Sequence, residues 1–340
     1  MKSYRHLKRN DLVLFGLIFI LPIFLLSGCT KPTPTQIENQ EPIGQPNSLD
    51  GEYVSVNVDL KPVAVCIDNF FVSRPQSGLN QASIVYELPV EANISRFLAV
   101  YRGDKLPDKI GPVRSARPYS AAIADEYRAV YVHAGGSPQA LSEIAKDTYW
   151  INNIDGLTKQ DVYFWRDKNR QAPYNLYTSE NQIAKFKQDN QINNIADFTS
   201  WLYVDFKENG QDLSDIKITG YFEPVVWSYN IATKKYERFL LVNGQKEKFI
   251  DDNNVQISAS NVIVLFTKVS VIDKIGRKQI DLVSGGKASV FNHGVKTEGT
   301  WEKKNNRTIF LDASGQEIPL MRGNTWVEII SAATGTLSNL

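Results

Sequence analysis

The most constraining stretch of this chain comes first. Lys2, Arg5, Lys8 and Arg9 precede the apolar run LVLFGLIFILPIFLL, Leu12 to Leu26, and LSGC follows, ending at Cys29. The run falls short of the ~20 residues a helix needs to cross a bilayer, and it has the length and basic lead of a secretory signal. Small residues directly before a cysteine, after such a run, read as a lipobox. We therefore expect residues 1–28 to be a lipoprotein signal peptide and Cys29 to carry the lipid. The remainder then folds outside the cytoplasm, anchored to a bacterial membrane. This limits how the fold is held together. With Cys29 lipidated, Cys66 is the one cysteine left, so no disulfide closes within the chain and burial must stabilise it. Cys66 lies in PVAVCIDN, a strand pattern, and is expected to be a buried, unreactive thiol.

Removing residues 1–28 takes away four basic residues and one acidic one, and net charge goes from +1 to about −2. That balance offers no field for nucleic acid. His6, His133 and His293 are the only histidines, and their spacing with carboxylates makes no metal signature. No cofactor is implied.

Residues 29–54 are rich in Pro, Gln, Asn and Thr and lack apolar periodicity. They read as a disordered tether. The rest is long for one core, so two parts are expected. In 55–211, KPVAVCID, SIVYEL, RFLAVYR and RAVYVHA read as strands. PYSAAIADEY, SPQALSEIAKD and SENQIAKFKQD read as helices, with Ser137 as N-cap ahead of Pro138 and a capping box of Ser179 and Gln182. This is a layered, mixed α/β part. In 212–340, short strand-like runs separated by Asn243-Gly244, Gly285-Gly286 and Ser314-Gly315 predict a mostly antiparallel β-rich part. The fold class is α+β.

Several long stretches resemble the YerB-like family of bacterial lipoproteins: RPQSGLNQASIVYE, KIGPVRSARPY, VYVHAGGSPQA, FWRDKNRQAPYNLYTS and IDLVSGGKASVFNHGVKTEGTWEK. The resemblance spans roughly residues 55 to 331. It implies an α/β part followed by a β-rich part, both of unknown function, and supplies no reaction.

The chemistry-bearing residues concentrate in the first part. Gly135 and Gly136 precede Ser137 and a helix start. Backbone N–H groups there have no intrahelical partner and could cradle an anion. A nucleophilic Ser137 would need a G-x-S-x-G turn, and Gln139 breaks that pattern. His133 lies close by with no acid assigned to it. Arg114 and Arg117 in GPVRSARPY, and Arg166 and Arg170 in FWRDKNRQAPY, suit the bidentate grip of phosphate or carboxylate. Asp68 ends the first strand, where α/β folds commonly place ligand groups. The expected cleft unites Asp68, Arg114, Arg117, Gly135, Gly136, Ser137, Arg166 and Arg170. It would bind an anionic envelope ligand or a partner protein. Glu87, Glu91 and Asp167 are the acid/base candidates if the chain is instead an envelope enzyme. The order of arginines, Gly-Gly and RDxxRQ also resembles LytR–CpsA–Psr phosphotransferases, an analogy that implies a phosphate-bearing ligand. A third reading is a structural scaffold whose β-rich part docks other envelope proteins.

Overall fold

A computed structural model describes residues 44–55, 59–205 and 215–340. The expected signal peptide, Cys29 and most of the expected tether lie outside these. The described residues are mostly β. Apolar, β-branched runs form the strands β1 (Val63–Asp68), β2 (Ile84–Pro89), β3 (Ser95–Tyr101) and β4 (Val130–His133). β5 (Asn152–Asp155) follows them, a run with no apolar alternation to announce it. A second group comprises β6 (Ile216–Thr219), β7 (Val225–Asn230), β8 (Lys235–Val242) and β9 (Gln245–Lys248). The chain then makes β10 (Asn261–Thr267), β11 (Gly286–Asn292), β12 (Val295–Lys304), β13 (Arg307–Leu311), β14 (Thr325–Ser331) and β15 (Thr336–Asn339).

Strands from both halves of the sequence share one ten-stranded sheet, in the order β13-β12-β11-β10-β14-β2-β3-β1-β4-β5. The halves meet where β14 pairs parallel to β2, with Glu328 opposite Glu87. β10 and β14 also pair parallel, inside the stretch read as antiparallel. Which strands become neighbours is a long-range choice, and the alternation within one strand does not carry it. The sheet β9-β8-β7-β6-β15 covers part of one face, with Ser258–Ala259 added beside β8.

Both faces of β1 are buried, so its sequence is continuously apolar. Val63, Val65 and Ile67 pack in the cluster that contains Trp227 of β7 and Ile183 and Phe186 of α3 (Glu180–Asp189). Ala64 and Cys66 pack in the other, with Ala121, Ile123 and Ala124 of α1 (Pro118–Glu126). The Cys66 thiol lies 3.2 Å from the Tyr131 hydroxyl, and burial pushes its pKa up. α2 (Pro138–Ala145) begins as its caps predict: Ser137 Oγ accepts from Ala140 N at 3.3 Å. The Ser179 capping box differs, because that hydroxyl bonds the Gln182 side chain and no helix N–H.

The pairings of β1, β2, β4, β5, β10 and β14 make these strands run the same way. The sheet therefore has two distinct edges. Asp68, Pro89, His133, Thr267 and Ser331 lie at the C-terminal edge. The chain arrives at the opposite one, where Asp50 O accepts from Gly323 N at 2.8 Å and Asp50 Oδ2 accepts from Ser83 Oγ at 2.7 Å. Residues 44–54, read as tether, are tied down here. Gln45–Pro46 pairs with Tyr53–Val54, and Leu49 and Asp50 are buried. Composition misses this because an Asn turn, with Asn47 Oδ1 accepting from Leu49 N at 2.9 Å, does the folding that apolar residues do elsewhere.

Candidate functional site

The segment 111–117 crosses the C-terminal edge and links the ends of β1 and β4. Asp68 N donates to Pro112 O at 3.0 Å, and Arg114 N donates to Cys66 O at 2.9 Å. Ala134 N donates to Arg114 O at 3.0 Å, Ala116 N to Gly135 O at 2.9 Å and Ser137 N to Ala116 O at 3.2 Å. The crossing satisfies backbone groups at both strand ends. It also brings Asp68, Arg114, Arg117 and the Gly135–Ser137 turn to one edge.

Arg114 is ion-paired to Asp68 through Nε and Oδ2, though neither atom has an aligned hydrogen bond. Asp68 Oδ1 accepts from Phe70 N at 2.8 Å, fixing the carboxylate against the following loop. The guanidinium sits 5.0 Å from the centroid of Tyr174, which stacks on Phe70 at 5.9 Å. The Arg114 side chain is 23 % exposed. Its two terminal nitrogens have no hydrogen-bond partner among the described residues.

The other predicted residues are held differently. Arg117 donates to Glu91 Oε1 from Nε at 3.0 Å and Nη2 at 2.6 Å. Burial acts to raise the Glu91 carboxyl, but backbone hydrogen bonding and the Arg117 charge outweigh it and hold it below the usual range. Arg170 donates to Ser73 O at 2.7 Å and Pro75 O at 2.6 Å, bracing the loop that follows Asp68. Arg166 donates to Asn175 Oδ1 at 2.8 Å. Asp167 pairs with Lys109 at 3.1 Å; the Asn169 N–H and then Lys109 hold its pKa down.

The glycine turn is internally satisfied in part. Gly135 N donates to Asp155 Oδ1 at 2.7 Å, so a carboxylate of the chain already sits on the turn. His133 is buried, with Nδ1 2.7 Å from Gly135 O and Nε2 2.6 Å from Asn153 Oδ1. Both ring nitrogens are engaged away from Ser137.

Sequence reasoning missed a second constellation, beneath this edge. Glu87 is buried and accepts from Arg238 Nη2 at 2.6 Å and from Asn69 Nδ2 at 3.1 Å. Glu328, opposite Glu87 in the sheet, accepts from Trp227 Nε1 at 2.9 Å. Burial raises the Glu328 carboxyl well above the usual range. The neighbouring Glu87 charge raises it further, while Arg238 acts the other way. A signal existed: Tyr236, Arg238 and Leu240 occupy the buried register of β8, so alternation places an arginine inside. A cleft of about 20 Å³ opens above Glu87, lined by Asn69, Arg74, Ser95, Phe222 and Glu223. That volume admits about one water. Among the described residues no group of His, Cys, Asp and Glu converges to hold a metal.

The family "Protein of unknown function (DUF3048) N-terminal domain" matches residues 49–193, and the corresponding C-terminal domain matches residues 216–327. The chain belongs to this two-domain family. It is 30% identical over 281 residues to "Putative lipoprotein YerB" of Bacillus subtilis (strain 168), covering 79% of this chain and 81% of that protein. The crystal structure of YerB protein from Bacillus subtilis superposes with a TM-score of 0.76 at 28% identity, covering 87% of this chain and all of that one.

Proposed function

We propose that the chain is an extracytoplasmic lipoprotein, anchored to the membrane through Cys29, that binds an anionic ligand of the cell envelope at Arg114. In this reading 55–211 is the layered α/β part that carries the site, and 212–340 supports it from below through Arg238 and Glu328. One observation carries it. Of Arg114, Arg117 and Arg170, Arg114 alone keeps both terminal nitrogens without a hydrogen-bond partner among the described residues, over an aromatic face. A guanidinium offered as an open fork suits carboxylate or phosphate. Asp68 and Tyr174 orient it, and Arg170 and Arg117 hold the flanking loops.

Two further observations support the reading. The Bacillus subtilis relative carries the name "Putative lipoprotein YerB". The segment around Asp50 is held at the edge opposite Arg114, so an anchor on that side would leave the Arg114 edge open to the envelope. An enzyme would need a carboxylate or Ser137 free at this point. Glu87, Glu91 and Asp167 are each engaged with a cation, and Ser137 caps α2. Binding is therefore the better supported activity.

The test is equilibrium binding of the full chain to anionic cell-wall polymer, with inorganic phosphate as competitor. Arg114→Glu should weaken capture by roughly tenfold to a hundredfold, the loss of a charge-assisted bond. Arg117→Glu should weaken it much less. Undiminished capture by a folded Arg114→Glu variant overturns the assignment.

A further inference from the structure

The opposite edge carries its own chemistry. Lys61, Arg128 and Trp150 each lie two residues ahead of β1, β4 and β5, three strands that are adjacent in the sheet and run in one direction. They line a cleft of about 430 Å³ together with Gln191, Asn193 and Asp197. The Arg128 guanidinium stacks 4.5 Å from the Trp150 ring, and the Trp150 residue is 69% exposed. Nearby Ile195 is 55% exposed. Lys61 Nζ donates to Arg128 O at 3.0 Å, and Lys187 Nζ donates to Lys61 O at 3.3 Å.

These cations are poorly compensated. Among the described residues neither Lys61 nor Lys187 has a carboxylate within ion-pair distance. Burial, then the Lys61 charge, lower Lys187 to about 8. Arg128 pairs with Asp197, whose carboxylate is mostly in solvent and can swing aside. An anion placed here would relieve two adjacent positive charges, and its neighbours would be an exposed indole and an exposed isoleucine. Indole rings favour the boundary between water and hydrocarbon, and anionic leaflets attract clustered Lys and Arg.

We infer that this edge lies against the membrane and that the Lys61–Arg128–Trp150 cleft takes the phosphate of an anionic lipid headgroup. The inference rests on the Cys29 anchor proposed above. The chain arrives at this same edge, and the fifteen steps from Cys29 to Gly44 span at most about 50 Å, so the edge stays within reach of the bilayer. Exposed Trp150 and Ile195 then meet the headgroup boundary. The Arg114 site is left facing outward.

The full lipidated chain, reconstituted in vesicles with brominated acyl chains, tests this. The signal is the Trp150 share of the emission, wild type minus Trp150→Phe. Phosphatidylglycerol vesicles should quench it and phosphatidylcholine vesicles should not. Lys61→Glu with Arg128→Glu should abolish the quenching, and the milder Arg128→Gln should reduce it with the thermal transition unchanged. Unquenched Trp150 emission, with mass spectrometry finding lipid on Cys29, overturns the membrane face and leaves the anchor standing. Equal quenching in both lipids overturns the headgroup site. Binding of inorganic phosphate through Lys61 and Arg128, without vesicle quenching, overturns the lipid as occupant. An unlipidated Cys29 overturns the anchor and this inference together.

Discussion

Arg114 and Arg238 are the same chemistry in two settings. Each guanidinium faces a carboxylate and an aromatic ring: Asp68 and Tyr174 for the first, Glu87 and Phe249 for the second. Arg238 stands in mid-strand between two sheets and is fully buried. Bulk solvent does not reach it, so its charge is compensated through Glu87 and the faces of Phe249, Trp326 and Phe97. Arg114 stands on a crossing segment at a strand end, and its side chain is partly exposed, so its terminal nitrogens are open to solvent or a ligand. A charge in the sheet interior belongs to the fold, while one at the sheet's edge is free to meet a ligand.

Arg238→Met should separate the two most sharply. It leaves Glu87 buried without its counter-charge and should cost about 3–5 kcal/mol in denaturant unfolding. An equal loss from Arg114→Met would erase the distinction. Gly135→Ala tests the turn that joins the edge. Gly135 has φ +61°, and a Cβ there would meet Leu157 Cδ1 at 2.6 Å. The left-handed backbone should cost about 1–2 kcal/mol, seen as a shift in denaturation midpoint.

Glu328 gives the buried side a pH dependence of its own. Glu328 is held above its unfolded range by burial and by Glu87. Its contribution is therefore complete below the unfolded carboxyl pKa and is lost as pH rises toward the folded one. Glu328→Gln should flatten that decline in a series of melts from pH 4 upward. A variant declining as steeply as the wild type would mean that another group is responsible. The smallest effect on stability belongs to Arg114→Ala. Asp68 is buried, but the guanidinium is 23% exposed and solvent screens the pair from that side, so the loss should stay near or below about 1 kcal/mol in the melt while ligand capture falls.

Much of the local structure was legible. The apolar runs of β1 and β4 and the Ser137–Pro138 start of α2 follow from propensity and capping over a few residues. Asn152–Asp155 escaped because an edge strand needs backbone pairing more than apolar side chains. Residues 44–54 escaped because polar turns tie them down. At the candidate site, Asp68 was placed by strand-end reasoning and Arg114 by its bidentate chemistry, and the two do meet. The Gly135 turn was read as able to cradle an anion, and its N–H donates to the carboxylate of Asp155, twenty residues away. Arg238 and Glu328 were missed although each lies in a buried strand register, because their partner Glu87 is contributed by the other half of the chain.

The sequence by itself determined where the apolar strands and the Ser137-capped helix begin, which thiol is buried and which arginines cluster along the chain. These depend on neighbours a few residues apart. Only the tertiary structure decided that β14 pairs with β2, that Arg117 and Arg170 hold loops while Arg114 keeps its fork open, and that the arriving chain and the Arg114 site lie at opposite edges. Those outcomes depend on which strands run side by side and in which direction. That choice is made by burial and hydrogen bonding across more than two hundred residues of chain, between strands as distant as Ile84–Pro89 and Thr325–Ser331.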